Sequence, residues 1–595
     1  MKISTERWLI GAGALALVAG LPALGQDTPE SLLPPGFEDP AAPPAPAPSP
    51  RPGATPGTTT GTAVPPPPVV PALPGAPAAL PTPIASATPE PVDPEALRDY
   101  ELPAFARRGL DAVGVAGSGY GGQAFGTARG RFQEQLMRRL DAPVASRWLS
   151  IALRRALAAE VVTPGDVNGA DFAAERAWLL LRMGEAPVAR ALVQGVDAEN
   201  YTPKLFQVAM QAMLATGDPA GLCPLVDGAL RVSDEAGWTL ARGMCLGLAG
   251  DPSGAGPIID RARRRVRTGQ LFDVLLAEKV VGAGAGGRRA VTVEWDGVDQ
   301  LSAWRYGLAI ATGVEVPAAL FDTVRPQVRY WHALAPGVAP GVRLPFAEAA
   351  AVQGVLSADA LADLYGTLGE DEDASSAQTA LAADLATAFT AGRQDERLAM
   401  LRRLWSQPEA EADRYARQLL TARASALLTP DAAGVADADA LVASMLSAGL
   451  DLPALRWAPL VPAGSPAWAM LAVATPRGRL VDPGAVADFD GGGRRAQLLF
   501  AGLAGLNRIA AGEVEGAARD LDVAVGRRNG WTIAIDAAAL RGDAGTVLLL
   551  AAVGMQTRDW RGVSPEALFH IVAALRAAGL EGEARMIAAE AIARG

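Results

Sequence analysis

The chain carries only two histidines, His332 and His570, and two cysteines, Cys223 and Cys245, so base chemistry and metal ligation have few places to reside. His332 follows Trp331, and His570 lies in the apolar run Leu568–Phe569–His570–Ile571. Both are predicted as half-buried packing or capping residues rather than bases. No cluster of histidine or cysteine has zinc or haem spacing, so no metal and no cofactor is expected. No Gly-x-Ser-x-Gly elbow sits between a strand and a helix. Gly282 to Gly287 followed by Arg288–Arg289 is glycine-rich like a phosphate loop. It lacks the Gly-Lys-Ser/Thr ending and a preceding buried strand, and is predicted as a flexible connector. The pair Asp488/Asp490 could exchange protons, but such pairs are common in an acidic chain. These readings give no catalytic constellation, and no enzymatic activity is expected.

Two charged runs remain. Glu370–Asp371–Glu372–Asp373 precedes Ala374–Ser375–Ser376 and reads as a solvated loop with at most weak cation affinity. Arg261, Arg263, Arg264, Arg265 and Arg267 crowd the end of a predicted helix, where the macrodipole favours cations. The functional alternative for these five arginines is an anionic partner: a lipid head group, an acidic polysaccharide or an acidic protein tail.

The elements that would position these groups are helices. Gly184–Glu185–Ala186, Gly217–Asp218–Pro219 and Gly250–Asp251–Pro252 recur at a spacing of 33 residues, and related marks stand at Gly512–Glu513, Gly542–Asp543 and Gly579. Five residues after these glycines come Ala189, Leu222, Ala255, Ala517, Val547 and Ala584. Twelve after them come Val196, Ala229, Ala262, Ala524, Gly554 and Ala591. A glycine closes the first helix of a hairpin, and residues seven apart share a face of the second helix, where small side chains admit a close neighbour. The pattern resembles the tetratricopeptide repeat, a helix–turn–helix unit of about 34 residues that stacks into a superhelix. The resemblance spans 172–268, which includes Trp178, and 496–595. It implies an all-α, tetratricopeptide-like α-solenoid of stacked antiparallel helix hairpins. Between these stretches the chain is helical in pattern, but Gly282–Gly287, Ala335–Pro336–Gly337 and Pro462–Ala463–Gly464 break the rhythm.

In that register Cys223 lies on the second helix of one unit and Cys245 on the first helix of the next. Their midpoint, Asp234, falls where the connecting turn belongs, so the two cysteines face one another. In an oxidising compartment they would form a disulfide, stabilising by ~3 kcal/mol if unstrained.

Export is itself predicted. Lys2 and Arg7 flank an apolar run from Trp8 to Leu21, Pro22 breaks it, and Ala23–Leu24–Gly25 supplies small residues for cleavage. The run is short for a membrane span, which needs ~20 residues. If it stays uncleaved, the same segment would tether the chain to the inner membrane, the one membrane contact expected. From Pro34 to Pro94 there are 22 prolines in 61 residues, which excludes helix and sheet ladders. This linker is predicted to be disordered and polyproline-II-biased, reaching about 190 Å at full extension.

The 595 residues carry a net charge of −11, half of them apolar and a fifth charged, which excludes nucleic acid as the general partner. Lysine occurs only at 2, 204 and 279, an arginine bias consistent with a GC-rich coding genome. The organisation expected is a signal peptide at 1–25, the linker at 26–95, a Gly-rich segment with the first helices at 96–165, repeats at 166–270, divergent helical repeats at 271–490, and C-terminal repeats at 491–595. Repeat arrays usually end on a polar capping helix. Here the final segment is apolar, with Met586, Ile587 and Ile592, so this edge is expected to contact a second copy, a partner or an earlier part of the chain. The function expected is an exported periplasmic scaffold or adaptor that binds a protein or peptide partner in cell-envelope assembly or maintenance. The competing readings are an enzyme, or its accessory subunit, acting on envelope polymers, and an inner-membrane-tethered spacer.

Overall fold

The computed structural model describes residues 108–595 except 116, 118, 266–270, 285–290 and 373. The expected signal peptide at 1–25, the linker at 26–95, Arg267 and the end of the glycine-rich connector at 285–289 lie outside the described residues. Within them the chain is all-α apart from a two-residue antiparallel pair, in which Ala112 and Val113 face Val162 and Val161, and an isolated bridge between Val115 and Ala159.

Helix ends follow local chemistry. Ser146, Thr202, Ser302, Ser357, Ser465 and Ser564 each accept a backbone N–H of the first turn of the helix they open. Asn168 and Asn529 do the same through Oδ1. At the other end, Gly184, Gly217, Gly250, Gly542 and Gly579 take positive φ. In each case the residue after the glycine donates back to the carbonyl five residues upstream, as Glu185 does to Leu180 and Asp543 to Ala538. Gly512 is the exception: that closure falls earlier, on Asn507 at φ 56°, with Arg508 bonded to Leu503. Gly313, Gly354 and Gly449 close helices of the central region in the same manner. The small residues expected on the following helices are buried at 189, 222, 255, 517, 547 and 584, whereas Ala524 is exposed.

The first helices, expected within 96–165, are separated by a bend. The peptide bond Ala142–Pro143 is cis, and separate helices occupy Gly130–Arg139 and Arg147–Ala158. Helices adjacent in sequence pack against one another, for example Gly169–Arg182 against Ala186–Gln194 and Ala236–Leu248 against Pro252–Arg265. In an open array each unit would touch only its neighbours. Here Arg147–Ala158 also packs against Ala544–Gly554 and against the last helix, Glu581–Arg594.

That seam is stitched by polar contacts. Glu590 accepts from Ser146 Oγ at 2.7 Å and from the backbone N–H groups of Arg147 and Trp148 at 3.0 and 3.2 Å. A carboxylate on the first turn of a helix is favoured by the dipole and fills otherwise orphaned donors. Gln133 donates to Phe125 O and Thr546 Oγ1, and Ala145 N donates to Met555 O. The expected contact of the C-terminal edge is therefore made with an earlier part of the chain. Ile587 and Ile592 are fully buried and Met586 nearly so. In this arrangement the three are core residues, because the apolar helix has found cover within the chain.

Candidate functional site

The C-terminal helices build a groove of about 1010 Å³. Its floor is made of Ala504, Ile509, Ala518 and Val523, all buried, and its walls include Leu480 and Phe569. Leu480 is 65% exposed, so apolar surface is offered to solvent at the groove's edge. The floor exists because Asn507 and Asp522 both take positive φ and turn the chain sharply on either side of Val514–Asp520. Glu515 and Arg519 add one charge of each sign to the lining.

A second, smaller cavity of about 150 Å³ is lined by residues that neighbour those of the groove in sequence. Ala524, Val525 and Gly526 line the groove, while Arg527 and Asn529 line the small cavity. On the helix Pro565–Ala577, Phe569 faces the groove, and Ala567 and His570, three apart and so on one face, line the cavity. His570 Nδ1 lies 3.3 Å from Asp536 Oδ1. Glu566 accepts from Ala524 N at 3.4 Å, and its own backbone N–H, Ser564 and Arg527 hold its carboxyl below the usual range against the opposing effect of burial.

The other histidine is a packing residue. His332 is buried among Tyr306, Phe321 and Phe346, with ring centroids 6.2, 5.0 and 5.0 Å away. Burial, with Arg343 nearby, pulls its imidazole down to about 4, so it is neutral at pH 7. Both histidines are more buried than expected, and neither caps a helix. Asp488 and Asp490 are exposed, with Asp490 in a left-handed turn.

Cys223 and Cys245 are joined, with Cα atoms 5.5 Å apart. Of the arginine run, Arg261, Arg264 and Arg265 are exposed, and Arg263 pairs with Glu278 of the next helix at 2.5 Å. The structure thus separates Arg263 from the others and gives it a structural partner.

Sequence reading missed a second use of arginine. Arg176, fully buried, donates to the carbonyls of Val113, Leu157 and Ala159, and burial pulls it down to about 9. Arg182 holds Met137 and Leu140, and Arg508 holds Ala472, Val473 and Thr475. Arg147 joins Ala351 to Ser447, and Arg154 takes Gln353 and Gly354. Each guanidinium is aimed at the C-terminal end of a neighbouring helix, where orphan carbonyls and the dipole both favour a cation. No signal in the sequence separates these arginines from solvated ones.

No family model matches this chain, and no curated protein or solved structure matches it. No helix among the described residues is long and apolar enough to cross a membrane.

Proposed function

We propose that the protein is an exported, tetratricopeptide-like helical-repeat scaffold whose C-terminal groove holds a peptide segment of a protein partner in the cell envelope. In this reading the repeat units are stacked helix hairpins, and residues 26–95 form a disordered linker that gives the body reach. Maturation would leave Gln26 as the first residue. The observation that supports binding is the groove itself: about 1010 Å³, with an apolar floor of small side chains and an apolar edge at Leu480. Concave, mostly apolar clefts with a few polar groups are where ligands are held, and small floor residues leave room for another chain's side chains. Two histidines committed to packing and to a carboxylate leave little for catalysis, which favours a binding role.

The test uses Ala524→Trp, an exposed wall position whose filling leaves the core untouched. A photo-crosslinking amino acid at Ala510 should capture one defined peptide segment in the wild-type groove. Ala524→Trp should abolish that capture without shifting the unfolding midpoint. Capture that is scattered over many segments, or unchanged by Ala524→Trp, would remove the groove from the account.

A further inference from the structure

Three stretches far apart in the chain meet around a cavity of about 200 Å³. One wall is a single face of Arg147–Ala158, where Trp148, Ile151 and Arg155 recur at three- and four-residue steps. The second is the turn at Gly449, and the third is the start of Glu581–Arg594, with Glu583 and Met586. A Cβ on Gly449 would come 2.8 Å from the Trp148 ring, so a glycine there is what lets the indole sit against the turn. The volume corresponds to about seven waters at ~30 Å³ each, room for a small molecule but not for a run of peptide.

The charges around this cavity are only partly satisfied. Arg585 is committed to Asp451 at 3.2 Å and to the Ala474 carbonyl. Arg155, exposed, and Glu583, half-buried, are different. Neither side chain makes a hydrogen bond or an ion pair among the described residues, and they do not pair with each other. The Arg155 guanidinium stands 5.9 Å from the Tyr120 ring centroid. Burial and then the Glu583 carboxylate push the Tyr120 hydroxyl up, while Arg155 opposes them, so both charges stand near that one residue. A cation with a fork of donors and a carboxylate thus line the same small space, beside apolar surface from Trp148, Ile151 and Met586. A simple anion would be repelled by Glu583 and a simple cation by Arg155. The complement of both is a zwitterion with an apolar side chain.

We propose that this cavity binds a free apolar α-amino acid of about leucine size. Its carboxylate is held by Arg155, its ammonium by Glu583, and its side chain lies against Trp148, Ile151 and Met586. A planar guanidinium suits a carboxylate in two parallel hydrogen bonds, which sets the ligand's orientation. The ligand touches three elements that only the folded chain brings together, so its binding also stabilises their join. The inference stands apart from the peptide-holding reading of the groove.

The test is calorimetric titration of the full-length chain with L-leucine, beside leucinamide, which lacks the carboxylate, and isocaproate, which lacks the ammonium. L-leucine should bind and raise the unfolding midpoint. Each analogue should bind about tenfold to a hundredfold more weakly, the worth of one charge-assisted hydrogen bond. Arg155→Gln should bind L-leucine and leucinamide alike, and Glu583→Gln should bind L-leucine and isocaproate alike. Unfolding midpoints without ligand show that the variants fold. Should Arg155→Gln disturb the contact with Tyr120, Arg155→Lys carries the comparison, since it keeps the charge and should keep the preference for the acid over the amide. If L-leucine does not bind, or leucinamide binds as well as it does, the inference falls. Isocaproate binding as tightly as L-leucine would make the cavity an anion site, and a preference for L-leucine that survives both substitutions would place binding elsewhere. Either result overturns the inference, and neither touches the groove.

Discussion

Arg176 shows what single residues contribute here. Its planar guanidinium satisfies three carbonyls at once, at the join between the small sheet and the end of Arg147–Ala158. A lysine ammonium at that depth would reach fewer of them and leave buried acceptors unpaired. Arg176→Lys is expected to lower stability by about 2–4 kcal/mol, read from denaturant unfolding. His332 gives a pH dependence of known sign. Its folded value of about 4 lies below the ordinary 6.5, so its neutral form stabilises the fold fully above pH 6.5. That contribution is lost as pH falls from 6.5 towards 4, by about 3 kcal/mol in all. His332→Leu should flatten the stability profile over that window, which stability measurements from pH 8 to 4 would check. The packing role of His332 was legible in the sequence, but its full burial and the role of Arg176 were not. An arginine or histidine on an amphipathic helix reads alike whether it snorkels to solvent or is capped over by a helix from elsewhere in the chain.

At the scale of elements the sequence was more informative, because turn geometry is a local demand. The glycines at 184, 217, 250, 542 and 579 announced their helix ends, since the closing residue must take positive φ. The central closures at Gly313, Gly354 and Gly449 use the same device but follow no fixed spacing, and Asn507 and Asp522 do the work without glycine at all. Periodicity was the signal, so aperiodic closures were lost. The closures also differ in what surrounds them. A Cβ on Gly542 would meet nothing within 4 Å, while one on Gly184 would come 2.7 Å from Tyr330. Gly542→Ala should therefore cost only the backbone strain, about 1 kcal/mol, and Gly184→Ala clearly more, as paired thermal melts would show. The pairing of Cys223 with Cys245 was readable from the 33-residue spacing, although Cys223 follows the short 3-10 turn Pro219–Leu222 and does not lie on a second α-helix. Replacing both by serine should cost about 3 kcal/mol for a link across 22 residues. Thiol labelling without reduction should find neither cysteine.

Across the whole molecule, the decisive contacts join residues more than 400 positions apart, and no local pattern could have disclosed them. Glu590 meets Ser146, and Thr546 meets Gln133 and Phe125, so Ala544–Gly554 and Glu581–Arg594 pack on the two helices near the start of the described chain. The final helix thereby exchanges the exposed cap of an open array for a buried position, which explains why its residues are so apolar. Glu590→Ala would strand the donors at Ser146, Arg147 and Trp148 and leave Arg594 without this partner, and is expected to cost about 3 kcal/mol. The same closure holds the helices that wall the groove, so partner binding and seam integrity should be lost together on heating.

The proposed peptide groove is the centre of this account, and photo-crosslinking from Ala510 in the full-length protein tests it most directly. One partner segment, captured by the wild type and lost in Ala524→Trp at an unchanged melting point, is the result expected. A pattern of adducts indifferent to Ala524→Trp would contradict the account and return the groove to the status of an ordinary surface depression.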